Sequence, residues 1–120
     1  MVDKDRGPGP GVRGPKTPQP TASKGAAALR ERVASELHGW RIEGEELVGK
    51  WRLPDFASAL SAAVRVGALA ERADHHPDLR VGWGKLEVRL TTHSAHALTT
   101  RDLDLARAVH EALQAPNAES

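Results

Sequence analysis

The sequence predicts an α+β domain, an antiparallel sheet of about four strands with helices packed on one face, in the order α-β-β-α-β-β-α. Three observations predict it. Stretches with apolar residues every three or four positions alternate with stretches in which every second residue is apolar. The alternating stretches are short and come in pairs, each pair joined across glycine. Glycine or proline marks most of the joints between elements.

The elements follow in order. Residues up to Ser23 hold Pro8, Pro10, Pro15, Pro18 and Pro20 and almost no large apolar side chain, too little to offset the entropy of ordering them. Residues 1–24 are therefore expected to form a disordered tail. The first helix is expected from about Gly25 to His38, with Ser23 as a cap, Leu29, Val33 and Leu37 on one face, and Gly39 at its end. Trp40-Arg41-Ile42 and Leu47 to Leu53 read as a hairpin turning through Glu43 to Glu46, and Pro54 closes the second strand. From Asp55 to about Ala73 the apolar positions Phe56, Leu60, Val64 and Ala68, flanked by Ala63 and Gly67, follow helical spacing, with Asp55 favourable at the positive end. Leu79 to Trp83 then pairs with Lys85 to Thr92, whose Leu86, Val88 and Leu90 alternate with Lys85, Glu87 and Arg89. Continued alternation puts His93 on the side of Lys85, Glu87 and Arg89, open to solvent. A last helix is expected from about Thr100 to Leu113, carrying Leu105, Val109 and Leu113. The folded domain is thus 25–115, and 116–120 is a short C-terminal tail.

Composition narrows the function. Seventeen basic and 16 acidic side chains give a net charge of +1, interspersed, which argues against general nucleic-acid binding or a polybasic membrane anchor. There is no cysteine, so disulfides and thiolate metal sites are excluded, and no apolar run reaches membrane-spanning length. A cytoplasmic location is the expectation. With only four aromatic side chains and many alanines the core is small, and a homodimer or homotetramer is expected to supplement it.

The chemistry concentrates in one segment. His75, His76 and His93 are three of the six histidines, accompanied by Glu71 and Asp102. Imidazole both donates and accepts protons near neutral pH, so such a cluster suits general acid and base steps. Glu71 precedes His75 by four residues and orients it if the helix extends that far. Pro77 disfavours helical geometry at His76, so the pair sits where a helix gives way to an extended segment.

The run Glu71-x3-His75-His76-Pro77-x5-Trp83-x9-His93-x8-Asp102 resembles the signature of the pterin-4a-carbinolamine dehydratases, or 4a-hydroxytetrahydrobiopterin dehydratases. Gly39-Trp40 and Trp51-x-Leu-x-Asp55-Phe56 extend the similarity upstream, so that it spans about Ala26 to Leu113. The resemblance implies dehydration of a 4a-hydroxytetrahydropterin to quinonoid dihydropterin and water, the recycling step after an aromatic amino acid hydroxylase. It also implies His75, His76 and His93 as the catalytic set, with His75 and His93 for proton transfer and His76 for substrate positioning. Glu71, Trp83 and Asp102 would bind or orient, Trp83 as a wall of the pterin pocket. Pterin is the substrate, and neither a cofactor nor a metal is expected.

Each of these residues also has a plainer role. Asp102 stands three residues after Thr99, the spacing of a capping box, and capping is compatible with a place in the pocket. Trp83, between two glycines, could pack over a hairpin end, and Glu71 could pair with Arg72 or Arg65. Where the family commonly has glycine, this chain reads His93-Ser94-Ala95-His96-Ala97-Leu98. If that turn needs a positive φ at Ala97, the strain is roughly 1 kcal/mol, unless the loop takes another path. Two rival functions stand beside the dehydratase. One is a metal site built from the histidines, which no His-x3-His pair supports. The other is a non-catalytic relative serving as a dimerisation factor or assembly chaperone.

Overall fold

The computed structural model describes residues 19–118. Residues 1–18 of the expected tail lie outside the described residues. The elements are α1 (Gln19–Glu36), β1 (Arg41–Glu43), β2 (Glu46–Arg52), α2 (Phe56–Ala73), β3 (Asp78–Gly82), β4 (Lys85–Leu90), a 3-10 turn (His93–Ala95) and α3 (Thr100–Leu113). Their order is the one the sequence predicts. The strands form one antiparallel sheet in the order β1-β2-β4-β3.

The β2–β4 register sets Leu47 opposite Leu90, Gly49 opposite Val88 and Trp51 opposite Leu86, so these side chains share the helix-covered face. Leu79 and Val81 of β3 join them. The core lies between this face and Val33, Leu37, Val66, Leu103, Leu105 and Val109. Gly49 is required there: a Cβ would stand 2.8 Å from the Trp51 ring and 3.0 Å from that of Trp40. Those two rings meet edge to face with centroids 5.4 Å apart.

Three features differ from expectation. The first helix starts at Gln19, six residues before Gly25, so part of the proline-rich stretch is helical; Pro20 falls at its second position, within the first turn where a missing N–H costs nothing. The C-terminal segment is not a loose tail as far as residue 118. The N–H groups of Asn117 and Ala118 both donate to the Lys50 carbonyl at 3.1 Å, and Asn117 Oδ1 accepts from the Arg52 N–H at 2.6 Å. They occupy the stretch of β2 that β1, paired only to residues 46–48, leaves uncovered.

The third difference concerns α2. Its buried face is Ala59, Ala62, Ala63, Val66 and Ala70, while Phe56 and Leu60 are each 47% exposed and Val64 is 65% exposed. At about 100° per residue the two sets form adjacent stripes, both of which obey helical spacing. The small stripe faces inward because alanines let α2 approach the sheet and α3 closely. The large apolar stripe is left on the surface.

Candidate functional site

The end of α2 decides where the histidines go. Asp74 adopts a left-handed conformation with φ 54°; its N–H donates to the Glu71 carbonyl, and the His75 N–H reaches back to the Ala70 carbonyl, each at 3.2 Å. This crossed pair of bonds is a Schellman ending with aspartate in glycine's place. It turns the chain away from the helix axis before His75. The expected helical pairing of Glu71 with His75 therefore does not form. Glu71 Oε2 instead lies 3.0 Å from Nε2 of His76, and both side chains are largely exposed.

His75 goes inward. It is 2% exposed, and its Nε2 lies 2.6 Å from Oδ1 of Asp102, which is 0% exposed. A carboxylate only accepts, so the imidazole carries its proton on Nε2 towards Asp102. The other oxygen, Oδ2, accepts from the Thr92 hydroxyl at 2.8 Å and from the Thr99 N–H at 2.9 Å. The Thr92 proton being spent on Asp102, the Thr99 hydroxyl must donate to Thr92 Oγ1, 2.7 Å away. Thr99 Oγ1 in turn accepts from the Arg101 N–H, and Thr99 and Asp102 together form a capping box at the start of α3. Asp102 thus caps a helix and clamps a histidine with one carboxylate.

This network ties together the two strand ends that carry the histidines. The β3–β4 ladder pairs Asp78 with Arg89, so His75-His76 before β3 and Thr92-His93 after β4 flank the same open end of that hairpin. His93 is exposed, as alternation predicts, but it is not in a strand. β4 stops at Leu90, and only an isolated Thr92–Ala97 bridge continues the pairing around the 3-10 turn. The positive φ of this glycine-less turn falls on His96, at 53°, and not on Ala97. Beside His75, between the end of α2 and the start of α3, runs a groove of about 410 Å³ lined also by Arg72, Arg101 and Asp104.

Trp83 is not brought to this end. It occupies the β3–β4 turn, 73% exposed, at the opposite end of the hairpin. At about 3.3 Å per residue it stands roughly 20 Å from His76. It therefore does not wall a pocket at the histidines within one protomer. Thr92 was missed by sequence reasoning. Its signal was available: alternation after Leu90 turns Thr92 inward, and a buried hydroxyl must find a partner. Among the described residues no group of three or more His, Cys, Asp or Glu side chains is placed to hold a metal ion, and no described helix is long and apolar enough to cross a membrane.

Comparison with known proteins gives the chain a family. The family profile described as pterin 4 alpha carbinolamine dehydratase matches residues 23–112. A protein of Roseiflexus sp. (strain RS-1), provisionally named a pterin-4-alpha-carbinolamine dehydratase, is 44% identical over 85 residues, covering 71% of this chain and 90% of its own. Two solved structures share the fold. A transcriptional coactivator/pterin dehydratase from Brucella melitensis has a TM-score of 0.58 at 24% identity, covering 81% of this chain and 97% of its own. A pterin dehydratase-like protein described as a RuBisCO assembly factor in the alpha-carboxysome has a TM-score of 0.55 at 18% identity, covering 65% and 93% respectively.

Proposed function

The chain belongs to the pterin 4 alpha carbinolamine dehydratase family, and on that premise we propose that it dehydrates a 4a-hydroxytetrahydropterin to quinonoid dihydropterin and water. The C4a–O bond breaks as an acid protonates the leaving oxygen, a base takes the N5 proton, and the electron pair of that N–H bond closes C4a=N5. Both protons are accounted for within the substrate, water and two imidazoles, and the quinonoid product must gain two electrons from a separate reductase before a hydroxylase can use it again as tetrahydropterin.

The observation that carries this reading is the buried His75–Asp102–Thr92 network, which holds the backbone of His76 and of His93 at one end of the hairpin. The two exposed imidazoles are the groups able to exchange protons with a ligand. We assign the proton transfers to His76, with Glu71 orienting it, and to His93. His75, almost wholly enclosed, acts as a positioning residue, a change from the proton-transfer role that the family signature implied for it. In support, an imidazole whose Nε2–H is committed to a buried carboxylate has a fixed tautomer and orientation.

The exposed stripe of Phe56, Leu60 and Val64 supports a homo-oligomer in which α2 packs on α2 of a second copy, since large apolar groups on a monomer's surface gain by association. The same stripe also favours the second reading, a non-catalytic role in which it docks another protein. Generating 4a-hydroxytetrahydropterin and following its decay with and without the protein separates the two. Acceleration supports the dehydratase, and an unchanged rate leaves the non-catalytic reading.

A further inference from the structure

At the end of the sheet remote from the histidines, the solvent-facing side holds an unbalanced set of charges. The register places Arg52 opposite Lys85 and Lys85 opposite Gly82; the next solvent-facing rung is Lys50, Glu87 and Arg80. Two cations face each other directly across β2 and β4, an arrangement that disfavours the sheet unless an anion joins them. Among the described residues no carboxylate pairs with Arg52 or Lys85, and Lys50 has only Glu87, across the rung from it. Glu87 is the one acid there, and it is hydrogen-bonded to Arg89, whose guanidinium also bonds Glu46 and Glu43. Arg80 reaches Glu87 only at 3.9 Å and is 74% exposed.

These residues line a concavity of about 560 Å³, within the roughly 300–1,000 Å³ of small-molecule sites. Gly82 borders it, and the Lys85 stem lies against its bare backbone, where a Cβ would stand 3.0 Å from Cε of Lys85. Trp83 stands at the rim, 73% exposed, the most exposed large apolar side chain among the described residues. One indole face beside four cations matches a ligand with one flat ring and several negative charges.

We propose that this groove binds a nucleoside phosphate, with the base stacked on Trp83 and the phosphates on Arg52 and Lys85, flanked by Lys50 and Arg80. A single aromatic platform accommodates one base, whereas single-stranded nucleic acid is gripped by successive bases on several. The site is independent of the proposed dehydration, since it lies at the other end of the hairpin.

Calorimetric titration of the full chain at low salt tests it, with ATP, adenosine, inorganic triphosphate and a short single-stranded oligonucleotide as probes. ATP is expected to bind, and adenosine and triphosphate each to bind about tenfold or more weakly. Trp83→Ala, Lys85→Glu and Arg52→Gln, each checked by thermal melting, should weaken ATP about tenfold or more, and His76→Ala should leave it unchanged. Triphosphate binding as tightly as ATP would reduce the groove to an anion patch. Overturning results would also be an oligonucleotide binding far more tightly than ATP, a folded Trp83→Ala with unaltered affinity, or no ATP binding up to millimolar concentration.

Discussion

The Asp102 carboxylate accepts the Nε2–H of His75 across 2.6 Å, and neither side chain is more than 2% exposed. One residue belongs to the start of α3 and the other to the chain just past the end of α2, so the bond joins the two helices at the end of the sheet where His76 and His93 stand. Asp102→Ala removes this bond, the cap on α3 and the acceptor for Thr92 at once. Breaking a buried pair of this kind costs about 3 kcal/mol or more, so the urea midpoint should fall sharply. A midpoint within experimental error of the parent would show that the network does not hold these elements together.

His75→Ala should lower stability as well as turnover, because it leaves Asp102 buried without its partner. His76→Ala should lower turnover alone, since His76 and Glu71 are exposed and their pairing contributes little to folding. Thermal melts beside initial rates distinguish the two patterns. An unchanged melting temperature for His75→Ala would contradict its assignment as the positioning residue.

His96 carries a left-handed φ of 53°. Glycine adopts that region without the Cβ penalty, so His96→Gly should raise stability by up to about 1 kcal/mol, or about 4 °C in Tm for a domain of this size. Ala97→Gly should lower it slightly, because Ala97 pairs with Thr92 in an ordinary conformation and gains only unfolded-state entropy. Differential scanning calorimetry checks both, and the reverse order would place the positive φ at residue 97.

Much of this was legible in the sequence, and the exceptions have physical causes. Gly39 and Gly44, both at positive φ, and Pro54 marked real joints, which is why the element order was readable. The partner of Glu71 was not, because Asp74 takes the left-handed ending that glycine usually signals, and nothing in its neighbours announces it. The outward face of α2 was hidden for a different reason: Phe56, Leu60 and Val64 satisfy the same periodicity as Ala59, Ala62, Ala63 and Val66, and spacing cannot say which stripe a single protomer buries. The distance of Trp83 from the histidines was not legible, because a signature records residues from both ends of a hairpin without regard to their separation in space.

The exposed stripe sets up its own expectation. If α2 packs against a second copy, Leu60→Glu should convert the assembly to monomer in analytical ultracentrifugation, since a buried carboxylate facing its own symmetry mate is strongly unfavourable. A monomeric parent protein would remove the second copy as the occupant of this face.

Acid sensitivity has a local source as well. The Asp55 carboxyl is held below its ordinary value by the Ser58 backbone N–H that it accepts at 2.8 Å at the start of α2. A carboxyl lowered by folding contributes stability that is present above its unfolded pKa and is lost as the pH falls through the folded one. Melting temperature measured from pH 6 to pH 2 should therefore fall less steeply below about pH 4 in Asp55→Asn than in the parent. Parallel acid limbs would show that this cap does not contribute.

The most direct test of the dehydratase reading is the rate of decay of 4a-hydroxytetrahydropterin at neutral pH, with the parent protein and with His76→Ala, His93→Ala and His96→Ala. The parent should accelerate it, the first two variants should slow turnover about 100-fold each with unchanged melting curves, and His96→Ala should match the parent. No acceleration by the parent, or a loss confined to His96→Ala, would contradict the assignment of His76 and His93 as the proton-transferring pair.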